Sequence, residues 1–453
     1  MSASDFQHRI DGAIEAVKGR SVPGTFNLVT LGFVAWGLLG LGYGFGTGKA
    51  AWTWGALLVA IFYAICLGQG GLMFSVIMHG TFGRWGRPLK RVAEGFAVGL
   101  FVPLVLLALF FAAGGLTVYP WSPTWHGGDP VSLAPHGSGV YHSKEFWLEP
   151  GFFSIRQLAG LVVLLVLDFL LIRNSLRPDL VLAKQKLGAA APAWWDRLIG
   201  SASSPSDEAK RSAVGNQVLV PVLAMSYALM MSMFAFDMVM SLDPWWFSNM
   251  FGGWIFMSSV LMGLAALAVV ATLGRDWLSL GPWIKPNVTH DLGKLMLAGT
   301  MFWAYTLFAQ ILPIYYTDVP EETNFLLVRM VLPQWSWMAR LVAILCFLAP
   351  FTILLSRGLK KLRWPFFGVA LVSLTGLFFE RSLLVMPSVY LGDAFPAADF
   401  LIINVGVWLG VVGLFAQVVA RFLATVPAVP VADPLLEDHP WDVHVHAAGH
   451  AHG

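Results

Sequence analysis

WTWGALLVAIFYAICLGQGGLMFSVIM (52–78) contains no charged side chain. It exceeds the roughly 20 residues that cross a hydrocarbon core about 30 Å thick at 1.5 Å rise per residue. Outward from it, nine further apolar runs pass the same test, at 26–45, 96–116, 155–172, 214–242, 251–273, 292–315, 335–355, 364–386 and 400–423. Only helices satisfy their own backbone groups one segment at a time in lipid, so the predicted fold is an all-α polytopic membrane protein with ten transmembrane helices. The composition agrees, with 57 % hydrophobic residues, 12 % charged residues and a mean hydropathy of +0.69. Residues 1–25 then form an N-terminal segment, 26–424 the membrane domain and 425–453 a His-rich tail.

A net charge of +2, from 28 basic and 26 acidic residues, offers no basic stripe and excludes a nucleic-acid partner. The charges are informative by position. Lys and Arg concentrate in the N-terminal segment (Arg9, Lys18, Arg20) and in even-numbered loops: Arg84, Arg87, Lys90 and Arg91; Arg177, Lys184, Lys186, Arg197, Lys210 and Arg211; Arg275 and Lys285; Arg357, Lys360, Lys361 and Arg363. Odd-numbered loops carry little beyond Lys49, Lys144 and Arg329, with Arg381 at a boundary. By the positive-inside rule both termini are expected in the cytoplasm. The polar N-terminus ends in no cleavage site and does not read as a signal peptide. Two loops can carry structure of their own: a Pro- and aromatic-rich one on the outer side (117–154), and an inner one (174–213) joining a basic amphipathic piece to a Ser-rich linker.

Cys66 and Cys346 lie inside apolar runs without CxxC or CxxCH, so no thiolate cluster, c-type haem attachment or zinc knuckle is expected. Intramembrane b-haem is disfavoured because His79 and His290 are both at span ends. His439, His444, His446, His450 and His452 read as an adventitious chelator. The methionines around Asp237 read as core packing rather than a copper site. No metal is assigned to this chain.

Ionisable groups in lipid are costly, and each asks for a partner, a water path or a function. Asp168, His79, His290, Asp291 and Lys294 fall on the inner side, Asp168 about 8 Å from Arg173 along its helix. Asp237, Asp243, Arg340, Glu380 and Arg381 fall in the outer part. Few polar stations, such as Tyr305 and Gln310, lie between. Two such sets are what two water-accessible half-paths for protons look like, and a structural bundle looks the same. Asp237 and Arg340 read either as a buried ion pair or as proton-handling groups. Asp291 and Lys294 share a helix face, with Asp291 expected to favour the helix dipole in the first turn. Glu380 and Arg381, adjacent on a helix, are expected to need separate partners, and Arg340 is the candidate for Glu380.

Three stretches carry a family resemblance: FDMVMSLDPWWFSNMFGGW (236–254), HDLGKLML (290–297) with FWAYTLFAQ (302–310), and VPEET (319–323). They resemble the second NrfD-like membrane subunit of bacterial alternative complex III, within the NrfD/polysulfide-reductase membrane-subunit family. The resemblance implies two four-helix bundles, spans two to five and six to nine, with spans one and ten outside. It also implies a respiratory quinol:electron-acceptor oxidoreductase of the bacterial cytoplasmic membrane. The expected partners are a sister NrfD-like subunit, a periplasmic iron–sulfur subunit, multihaem and monohaem cytochrome c subunits, and lipids. Haem c and iron–sulfur clusters would then sit in those partners, with no cofactor bound covalently here and quinone left open. In that family quinol oxidation falls to the sister subunit, leaving assembly and proton translocation to this one. The matching positions are Asp237, Asp243, His290, Asp291, Lys294, Glu321 and Glu322. Met238 and Trp245 depart from the family's usual Trp and His, so a histidine role at that spot does not carry over. A secondary transporter and a purely structural anchor are the competing readings.

Overall fold

The computed structural model describes residues 3–122, 144, 146–201, 204–243, 245–390 and 395–436. It is helical throughout, with no strand among the described residues. Ten helices are long and apolar enough to cross a membrane: Gly24–Gly46, Ala50–Gly80, Arg87–Ala112, Pro150–Ala190, Pro205–Leu242, Phe251–Leu273, Pro286–Thr317, Pro333–Leu355, Arg363–Val389 and Ala397–Ala424. They are called the first to tenth spans below. The chain is a multi-pass membrane protein of the all-α class.

The spans pack as two rings of four. In one, the second, third, fourth and fifth spans each touch their sequence neighbours and the fifth closes on the second; in the other, the sixth to ninth repeat that order. The rings meet through the second and sixth spans, flanked by fifth-on-sixth and ninth-on-second contacts. Glycine makes the central crossing possible. A Cβ on Gly70 would lie 1.7 Å from the Ser259 carbonyl oxygen, and one on Gly263 would lie 2.3 Å from the Gly70 carbonyl carbon. Close backbone approach of this kind gives helices in lipid their dispersion contacts, since lipid tails leave no hydrophobic drive between them. The first and tenth spans pair with each other outside the rings, again through small residues (Gly37, Gly410).

The first and last described segments meet at one end of the bundle, where the Arg20 guanidinium donates to the carbonyls of Leu423 and Val426 at 3.3 Å. This is called the terminal end below. Three helices reach further towards it than the apolar runs do. The third span starts at Arg87 rather than at 96, with Pro88 in its first turn. The fourth runs unbroken to Leu187, absorbing the amphipathic piece expected in the loop. The fifth starts at Pro205, where the Ser204 hydroxyl accepts the Asp207 N–H at 3.2 Å as an N-cap. Hydropathy misses these turns because they carry charges, and the charges are paired in the fold.

The described ends are packed. Ala3–Glu15 is an amphipathic helix that buries Phe6, Ile10 and Ile14, with Phe6 edge-on to Trp283 at 6.0 Å. Residues 425–436, expected within the tail, lie against the bundle and bury Val426, Val429, Val431 and Leu436. The His-rich run and residues 123–143 of the Pro-rich loop fall outside the described residues. The start of that loop does not: Tyr119 donates to the Met238 carbonyl at 3.1 Å and Trp121 to the Ser241 hydroxyl at 3.2 Å.

Candidate functional site in the membrane interior

The buried acids of the described chain fall into pairs with cations, except one. Asp168 sits at the middle of the fourth span, 1 % exposed, and its only partner is Gln69 on the second span, whose Nε2 donates to Oδ2 at 2.7 Å. The other oxygen of each, Asp168 Oδ1 and Gln69 Oε1, has no hydrogen-bond partner. The helix continues past Arg173, so Asp168 has about 28 Å of helix below it, not only the 8 Å to that residue.

Below Asp168 on the same face, at i+7 and i+11, come Ser175 and Asp179. They belong to a buried network on the second, third and fourth spans. Arg91 binds Glu94 through Nη1 and Asp179 Oδ2 through Nη2 at 2.5 Å. Glu94 Oε1 accepts the hydroxyls of Ser175 at 2.6 Å and Ser75 at 3.1 Å. Asp179 Oδ1 accepts the Ala432 N–H at 2.7 Å, which ties in the packed C-terminal segment. Asp433 then receives Lys90 at 2.7 Å and Arg87 at 2.9 Å. Burial opposes its charge, but these two cations outweigh that and hold its carboxyl well below the usual range. A connected polar row thus runs from Ser175 to the terminal end, beginning about 10 Å along the helix from Asp168. Sequence reading placed Arg91 in a loop and left out Gln69, Glu94, Asp179 and Asp433; the i, i+7, i+11 spacing of Asp168, Ser175 and Asp179 was the signal available for it.

Asp237 is held differently. It lies in a π-helical turn, Ala235–Val239, and accepts Arg156 Nε at 3.0 Å and Gln157 Nε2 at 2.5 Å on Oδ2, and Trp147 Nε1 at 2.9 Å on Oδ1. Arg156 also stacks over Trp147, 3.9 Å from the ring centroid. Its partner is therefore Arg156, in the second turn of the fourth span, and not Arg340. Arg340 is exposed on the eighth span and pairs with neither Asp237 nor Glu380.

Glu380 and Arg381 do pair with each other, contrary to the expectation for adjacent helix positions. Backbone directions 100° apart are bridged by two long side chains, so the rule for short contacts does not bind here. Trp303 Nε1 donates to Glu380 Oε1 at 3.0 Å, and Arg381 Nη2 donates to Ser258 Oγ at 2.6 Å and lies 3.9 Å from Cys66 Sγ. Cys66 is at the middle of the second span, so this pair sits at mid-depth rather than near one surface.

The remaining expected residues are peripheral. Tyr305 is 63 % exposed on the outside of the seventh span and is no interior station, whereas Gln310 is buried. Asp291 and Lys294 form the i, i+3 pair at 2.8 Å, but the helix starts at Pro286, so Asp291 is past the first turn and does not cap it. His290 is part-buried beside them. His79, in the last turn of the second span, has an Nε2 without a partner and lies close to Arg87, Lys90 and Asp433. Asp243 lies 3.8 Å from Arg329; burial raises its carboxyl above the ordinary value, and burial lowers Arg329 to about 10. Glu322 is part-buried after the seventh span. The described residues contain no group of three or more His, Cys, Asp or Glu able to hold a metal ion.

No family model matches the chain, and no curated protein matches it.

Proposed function

We propose that this chain is a non-haem membrane subunit of a respiratory quinol oxidoreductase in a bacterial cytoplasmic membrane, and that Asp168 exchanges a proton during turnover. The observation that carries the second part is that Asp168 has no cation partner among the described residues. An acid held by a guanidinium cannot change charge without stranding that guanidinium in lipid, which costs several kcal/mol. Asp237 and Glu380 are in that position, and the reading therefore treats them as structural. Asp168 changes protonation against an amide, whose free carbonyl oxygen can accept a carboxylic O–H.

The row through Ser175, Glu94 and Asp179 gives this acid a direction, towards the terminal end. Ser175 is seven residues on, about 10 Å along the axis, a gap that two or three waters would span. The Lys and Arg distribution supports a cytoplasmic placement for that end, so the row would be an inner half-path. The complex is supported by the motifs at 236–254, 290–297, 302–310 and 319–323 and by the paired-ring architecture. The expected sister, iron–sulfur and cytochrome c subunits would bring the redox groups, and redox events there would bias Asp168 through field and packing.

Two experiments test this. The natively tagged chain should co-purify with haem-bearing polypeptides; isolation alone would favour a transporter. In proteoliposomes of that complex, Asp168→Asn should lower the proton-to-electron ratio while quinol turnover stays near wild type. An unchanged ratio removes Asp168 from the mechanism and leaves a scaffold.

A further inference from the structure

The start of the seventh span gathers cations that the proton reading does not use. Lys360, in the 3-10 turn Leu359–Lys361 between the eighth and ninth spans, lays its stem across the seventh span at Gly293. A Cβ on Gly293 would lie 2.8 Å from Lys360 Cδ and 3.2 Å from the Phe366 ring, so the glycine leaves the slot that the lysine fills. Lys360 is only 6 % exposed as a result. Lysine stems are buried in this way with the ammonium kept at the polar boundary, and here the slot fixes where that ammonium lies.

No acid answers this charge. Among the described residues Lys360 and Lys361 have no ion-pair partner. His290 lies close to Lys294, Lys360 and Lys361, and the one acid beside it, Asp291, already binds Lys294 at 2.8 Å. His290 Nδ1 is buried without a partner. Burial, and after it the Lys294 ammonium, hold the Lys360 ammonium below the ordinary lysine value. Packing alone would be served as well by a methionine, which carries no charge to repel Lys294. A buried lysine set against a second one is stabilised by an anion between them.

The surroundings point to the kind of anion. The cluster lies at the terminal end, where Arg9 of the N-terminal helix donates to the Pro282 carbonyl at 3.4 Å just before the seventh span. Leu355, Leu362 and Trp364 flank it in sequence and are exposed on the surface that the bilayer would cover. Cations at span ends beside apolar surface suit an amphiphile with an acidic head, and basic pockets between spans on the cytoplasmic side recognise such heads. We infer that Lys360, Lys361 and His290 bind the phosphate of an anionic phospholipid, whose acyl chains lie along Leu355, Leu362 and Trp364. A soluble phosphate would meet the same cations but leave that apolar surface unused. The inference rests on this cluster alone and stands whether or not Asp168 moves a proton.

The test is equilibrium binding of dioctanoyl phosphatidylglycerol to the full-length chain, purified in detergent and stripped of lipid. Saturable binding is expected, and Lys360→Met should weaken it about tenfold, since methionine keeps the buried stem and removes only the charged hydrogen bond. Asp291→Asn should tighten it, because the neighbouring negative charge is gone and Lys294 is free to join the site. Lys184→Met, which removes a cation paired with Asp196 on the fourth span, should leave it unchanged. Neither dioctanoyl phosphatidylcholine nor sodium glycerophosphate should displace the lipid at equal concentration. Affinity untouched by Lys360→Met, an equal loss in Lys184→Met, or displacement by phosphatidylcholine would overturn the inference. Displacement by glycerophosphate would overturn it too, by showing a site for soluble phosphate instead of lipid.

Discussion

The two rings share one helix order and treat their central acids in opposite ways. In the second ring Glu380 is clamped by Arg381 and Trp303, and Arg381 donates in turn to Ser258. In the first ring Asp168 has an amide in place of a cation, and half of its hydrogen-bonding capacity is unused. An ion pair in lipid orders helices because neither partner can leave. A lone acid on an amide contributes little order and retains freedom to gain or lose a proton.

Substitutions should sort along that line. Gly70→Ala, at the crossing between rings, should do the most damage, because the new methyl meets Ser259 backbone with no flexible atom to yield. A loss above about 4 kcal/mol is expected, read as failure to elute as a monodisperse species. Normal elution would show that the rings can part without cost. Arg381→Met should cost about 3–5 kcal/mol in detergent unfolding, since it strands Glu380, and adding Glu380→Gln should recover most of that. A double variant as weak as the single one would mean that packing, not charge, fixes this site.

Asp433→Asn should cost less, about 2 kcal/mol, because Arg87 keeps the carbonyls of Gly83 and Met78 as acceptors. This effect has a pH signature. Asp433 is held below its ordinary value in the fold, so its contribution is complete above the unfolded value of about 3.9 and fades as pH falls through the folded one. The gap between wild type and Asp433→Asn should be flat at neutral pH and close on acidification; a gap widening in acid would contradict the assignment. Asp168→Asn should change stability least, by under about 1 kcal/mol, since no cation is left behind.

The ten spans were legible because length and hydropathy alone define them, and the residues of interest were legible because a charge in an apolar run stands out. Their partners were not. Asp237 pairs with Arg156 across two helices, and Arg340, the expected partner, faces outward. Hydropathy gives a residue's depth but not its azimuth, so it cannot separate Arg156 from Arg340. Gln69 was passed over because a neutral amide barely dents an apolar average, although it alone meets Asp168. The starts at Arg87 and Pro205 and the extension to Leu187 were hidden because charged turns read as loop until Asp433, Asp179 and Glu208 neutralise them.

The proposed function requires Asp168 to change protonation while the paired acids do not. Redox-triggered infrared difference spectroscopy on the native complex reads this directly, through the carbonyl stretch of a protonated carboxyl. A band that appears or vanishes on turnover, is lost in Asp168→Asn and persists in Asp237→Asn is the predicted result. A spectrum with no carboxyl change, or one whose change survives Asp168→Asn, would contradict it.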